Sequence, residues 1–118
     1  MPYSRGDVVL VFFPDSNLIT AKRRPVLVVQ ADRLNTGLAQ TIVAMITSNL
    51  SRAGHPSRVT ISGSSPAGRQ MGLLSDSIVM TDNLATILDS ETDRVIGRCN
   101  DMRSIDAALR HTLGLGNT

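Results

Sequence analysis

Three short apolar runs, Val8 to Phe13, Val26 to Gln30 and Thr41 to Ile46, follow one another with no helical segment between them. That spacing argues against a βαβ arrangement and for antiparallel strands that close, or nearly close, into a barrel. Pro14 and Asp15-Ser16-Asn17 end the first run, Pro25 opens the second, and Asn35-Thr36-Gly37 marks the turn before the third. Further strands are expected at Arg58 to Ile61, Ser77 to Met80, Leu84 to Ile87 and Val95 to Gly97, with Gly63 to Gly68 a loop by composition. Ser90-Glu91-Thr92-Asp93 matches a capping box and predicts one short turn of helix. In the last segment Met102, Ile105, Leu109 and Leu113 recur at helical spacing, with Asn100 as N-cap and Gly114 as the stop. The expected fold is mainly β with a C-terminal helix packed on the barrel. At 118 residues, the chain (1–118) is expected to be a single domain.

Composition narrows the function. The longest apolar run, Val8 to Phe13, is far short of the roughly 20 residues of a membrane-spanning helix. The N-terminus lacks the apolar stretch of a secretory signal, so a cytoplasmic setting with no membrane partner is expected. One cysteine, Cys99, and two histidines predict neither a disulfide nor a zinc site, so the expected chemistry uses no metal or cofactor. Cys99 reads as a small buried hydrophobe, and Met71 and Met102 as core or dimer-seam residues. Charge is unevenly spread. Through residue 60 there are seven bases against three acids, a surplus of +4, and the remainder carries five bases against seven acids, or −2. Eleven of the twelve bases are Arg, whose guanidinium fork suits phosphate oxygens, which makes the basic half the expected site for a nucleic acid.

Two segments have the residue types for such chemistry. Arg23-Arg24-Pro25-Val26-Leu27-Val28-Val29, in the Lys22-Arg23-Arg24 basic run, puts a guanidinium where a loop enters a stiff strand, which fixes the backbone from which it is aimed. Met45-Ile46-Thr47-Ser48-Asn49 ends an apolar strand in hydroxyls and an amide able to donate to a phosphate. Pattern alone favours the plainer reading, in which Thr47 and Ser48 satisfy a turn and the dispersed arginines are solvated surface.

The order Arg5-Gly6-Asp7-Val8-Val9, Arg24-Pro25-Val26-Leu27-Val28, Met45-Ile46-Thr47-Ser48-Asn49, Gly72-Leu73, and Ser77-Ile78-Val79 through Asp82 and Thr86-Ile87 resembles the MazF/PemK family of toxins from toxin–antitoxin pairs. The resemblance implies an SH3-like antiparallel barrel of the CcdB/MazF kind, a homodimer, and a metal-independent endoribonuclease inhibited by a cognate antitoxin. By position it makes Arg24 and Thr47 catalytic and places Asp82 where several members carry an acid. Lys22, Arg23, Ser48, Asn49 and Arg58 are then the expected contacts to single-stranded RNA. Asp82 and His55 are both candidates for the general base, because an Arg with a pKa above about 12 does not readily give up its proton. Met80 and Ala85 stand where some members have Arg, and the loop from Asp15 to Lys22 lacks the Glu-Gln and His of others, so base preference does not transfer. Two alternatives stay open: a non-catalytic gyrase poison of the same architecture, and an inactive family member.

Overall fold

The computed structural model describes residues 3–14 and 21–116. Among these residues six strands, β1 (Asp7–Pro14), β2 (Ala21–Val28), β3 (Gln40–Thr47), β4 (Arg58–Ile61), β5 (Ser77–Leu88) and β6 (Thr92–Arg98), form one antiparallel sheet in the order β4-β5-β3-β2-β1-β6. The helices are α1 (Pro66–Gln70) and α2 (Arg103–Leu113). The mainly β architecture with a C-terminal helix is as the sequence predicts, but the sheet does not close: β4 and β6 stand at its two ends.

The strands read as continuous apolar runs because both faces of the sheet are covered. One face carries Val8, Leu27, Ala44, Ile46 and Val79, packed with Met71, Leu73, Cys99 and Ile105 of α2. The other carries Val9, Val11, Val26, Val28, Val43 and Ile87, with Tyr3 and Met45 against them. Cys99 and Met71 are buried as expected, and Met102 packs at the margin of the first cluster.

Several boundaries differ from expectation, each for a local reason. The strands at Ser77 to Met80 and Leu84 to Ile87 are one strand, β5, whose pairing with β3 jumps from Met45↔Met80 to Ala44↔Leu84. Thr81, Asp82 and Asn83 therefore bulge out of the ladder. The segment that looks like a loop holds α1, capped by the Ser65 hydroxyl accepting the Gly68 N–H at 3.0 Å and begun by Pro66. The expected turn near Ser90 is a 3₁₀ turn over Asp89–Glu91, and Glu91 rather than Asp93 reaches back, accepting the Leu88 N–H at 2.8 Å. Helix α2 starts after Met102, not Asn100; the Asp101 carboxylate takes the Arg103 N–H at 3.1 Å and fills the capping role. Hydrogen bonds from Arg103 draw the Asp101 carboxyl down to about 2. Gly114, at φ 68°, ends the helix as predicted.

Candidate active site

Pro25 lies inside β2, opposite Leu10 of β1, and pairing of β2 to β3 begins only at Val26↔Met45. The missing proline N–H thus falls where β2 has a single neighbour, and the ladder between β2 and β3 ends there. Carried two residues further, the register leads Arg24 of β2 to Thr47 at the end of β3. A cleft of about 480 Å³ opens at this point, and Arg24 and Thr47 both line it. Arg23, Ser48, Ser75, Ser77 and Arg94 add polar lining, while Leu10, Pro25, Ile46, Leu73 and Ile96 form an apolar floor.

The two residues on which the sequence argument rests therefore meet on one surface. Arg24 is exposed and its guanidinium has no hydrogen-bond or ion-pair partner among the described residues. Thr47 is half-buried, and its Oγ1 accepts the Asn49 N–H at 3.1 Å. Since a hydroxyl can accept and donate at once, this bond occupies a lone pair and leaves the O–H proton for an anion. Ser48 is exposed on the same wall.

The other predicted residues are placed differently. Asp82, carried outward by the β5 bulge, is tied to Arg58 by bonds of 2.7 and 3.3 Å and does not line the cleft. Arg58 also donates to the Arg52 carbonyl at 3.1 Å, so this guanidinium is committed to the fold. The hydrogen bond from Arg58 holds the Asp82 carboxyl below the usual carboxylate range, against a smaller opposing effect of burial. Both features make Asp82 a poor proton acceptor for a reaction at Arg24. His55 is no nearer: its Nδ1 accepts the Ser57 N–H at 3.0 Å, its ring lies edge-on to His111 at 6.1 Å, and it is not part of the lining. Asn49 caps the 3₁₀ turn at Leu50–Arg52, its side-chain oxygen accepting from the Ser51 N–H and hydroxyl. Lys22 is exposed beside the cleft's Arg23, outside the lining itself, and most of the Asp15 to Lys22 loop lies outside the described residues. Arg94 was missed by sequence reasoning. It sits in a polar strand with no apolar alternation to show which way its side chain faces.

The antiparallel sheet with its C-terminal helix carries a cleft lined by Arg24, from within β2, and by Thr47 and Ser48 at the end of β3, and comparison with known proteins gives its class, a toxin domain. The model of the PemK-like, MazF-like toxins of type II toxin–antitoxin systems matches residues 4–113, and the chain belongs to this family. It is 38% identical over 106 residues to the endoribonuclease MazF6 of Mycobacterium tuberculosis, covering 86% of this chain and 88% of that protein. It is 31% identical over 121 residues to the endoribonuclease EndoA of Bacillus subtilis, covering 98% and 97%. Among solved structures, a mycobacterial endoribonuclease in complex with its cognate antitoxin superposes with a TM-score of 0.73 at 24% identity, covering 98% of this chain and 99% of that one.

Proposed function

We propose that this protein is the toxin of a toxin–antitoxin pair, a metal-independent endoribonuclease that cuts single-stranded RNA and is silenced by a cognate antitoxin. The observation that carries this reading is that Arg24, whose guanidinium has no partner among the described residues, lines one cleft with Thr47 and Ser48. Relatives named as endoribonucleases and a fold neighbour solved with its antitoxin support it. A homodimer acting in the cytoplasm as a single domain over 1–118 belongs to the same proposal.

In the proposed reaction the 2′-oxygen of a ribose attacks the adjacent phosphorus and loses its proton. The bond from phosphorus to the 5′-oxygen breaks, and that oxygen takes up a proton, leaving a 2′,3′-cyclic phosphate and a 5′-hydroxyl. Negative charge builds on the two non-bridging oxygens as phosphorus becomes five-coordinate. Arg24 offers two parallel donors to them, and Thr47 offers its free O–H. Neither needs to change protonation state. The 2′-hydroxyl requirement makes DNA inert as substrate.

The test is to incubate the protein with mixed-sequence single-stranded RNA in excess EDTA and map the new ends. Cyclic phosphate termini are expected, with rates falling about 10²- to 10³-fold in folded Arg24→Ala and Thr47→Ala. RNA left whole by the wild-type protein, or cleavage that survives both substitutions, rejects the reading. Gyrase inhibition with intact RNA would favour the poison instead.

A further inference from the structure

Three arginines line the cleft, and they are not equivalent. Arg24 is free of partners among the described residues, whereas Arg23 and Arg94 converge on one carboxylate oxygen, Asp93 Oδ2, at 2.9 and 3.6 Å. The contact reaches across β1, since Arg23 lies on β2 and Asp93 and Arg94 on β6, the two neighbours of that strand. It depends on an irregularity in β6. Pairing runs from Val9↔Val95 to Val11↔Thr92, so Asp93 and Arg94 together stand opposite the single residue Leu10. A regular strand would send neighbouring side chains to opposite faces; an extra residue in the strand re-aims them. The bulge thus brings a carboxylate up beside the cleft-lining Arg94 and within reach of Arg23, while Asp93 itself stays off the cleft wall.

We infer that Arg23 and Arg94, held together by Asp93, form a second phosphate subsite, which takes the RNA phosphate next to the one at Arg24 and Thr47. This rests on the proposed function and extends it to a pair of successive phosphates. Asp93 is a positioning residue. It neutralises one of the two charges, hydrogen-bonds the Arg23 guanidinium and draws in that of Arg94 by ion pairing alone, so a phosphate meets a pair of donors gathered at one carboxylate. The pair is open to a ligand, because the Arg23 and Arg94 side chains are 51% and 63% exposed.

The experiment measures binding separately from cleavage. A short, fluorescently labelled 2′-O-methyl oligoribonucleotide of mixed sequence, which lacks the attacking hydroxyl, is titrated by anisotropy over a range of salt concentrations. Arg23→Ala and Arg94→Ala are each expected to weaken binding several-fold and to reduce the slope of log K against log salt by about 0.7, the value for one phosphate contact on a single strand. An unchanged slope in both variants overturns the subsite. Asp93→Asn removes a negative charge, which favours any anion, but releases both guanidiniums, which disfavours a phosphate that needs them ordered. The subsite predicts weaker binding in spite of the added net positive charge, with recovery in Asp93→Glu; tighter binding in Asp93→Asn overturns the positioning role. Wild-type RNA cleavage accompanied by normal salt slopes in the Arg variants would reject the subsite while leaving the nuclease intact. The reverse pattern, slopes reduced but RNA uncut, would reject the nuclease and keep the subsite.

Discussion

At the scale of single residues, Asp82 shows how a carboxylate in a suggestive place can belong to the fold. It and Arg58 are joined by two hydrogen bonds at the β5 bulge, and Thr81 beside it donates its hydroxyl to the Ser57 carbonyl at 2.6 Å. Asp82→Asn is therefore expected to leave RNA cleavage within about threefold of wild type while lowering stability modestly, as a partly exposed ion pair would. The pH dependence follows from the depressed carboxyl. Its stabilising contribution is fully present above the unfolded value of about 3.9 and is lost as the pH falls through the lower folded value. Urea titrations should show the Asn variant less stable at neutral pH, with the gap narrowing as the pH is lowered below about 3.9; a gap that stays constant with falling pH contradicts this. Pattern alone did not single out Arg24 and Thr47; a proline and a strand end mark where they stand, and the family resemblance drew them together as a candidate pair. The partnership of Asp82 with Arg58 was not legible in the sequence, since it depends on three residues leaving the ladder in a strand that reads as two.

Among the elements, the cleft wall formed by residues 72–75 is set by direct backbone contact. A Cβ on Gly97 of β6 would lie 2.3 Å from the Met71 carbonyl carbon, and one on Gly72 would lie 2.2 Å from the Ile96 oxygen. Gly72 also adopts φ +73°, where an L side chain is strained. Because the obstacle is backbone in each case, no side chain can turn aside to make room. Gly97→Ala should cost about 1–3 kcal/mol, the usual range for overpacking. It should also slow cleavage in the folded protein, because the wall carrying Leu73, Leu74 and Ser75 moves away from Arg24. Denaturant unfolding together with turnover measured well below the midpoint checks both; full activity with normal stability would show that the segment tolerates a shift. The sequence revealed the first three strands and α2 through hydrophobic patterning. It hid α1, whose five residues include Pro66 and Gly68, too few and too polar for any periodicity. The bulges of β6 were equally hidden, because a seven-residue strand whose residues are all exposed or only partly buried carries no alternation to interrupt.

Over the whole molecule, the +4 and −2 halves of the sequence fold onto each other. Arg5 pairs with Asp106, Arg23 with Asp93 and Arg58 with Asp82, each joining a base of the first half to an acid of the second. Among the described residues, the bases of the first half without a carboxylate partner are Lys22, Arg24, Arg33 and Arg52, and two of these stand at the cleft and its margin. Folding thus leaves part of the surplus positive charge where the RNA backbone is proposed to lie. The same field would attract an antitoxin segment rich in Asp and Glu, which would compete with RNA for the site. Reversing charge at Arg23 and Arg24 to Glu should slow association with the cognate antitoxin at least tenfold at low salt, an effect that fades as salt screens the field. The same reversal at Arg33 and Arg52, away from the cleft lining, should change the rate much less. Stopped-flow association at two salt concentrations distinguishes the cases: equal effects from the two pairs would mean that net charge alone guides the antitoxin, and no effect from Arg23 and Arg24 would place its docking surface elsewhere.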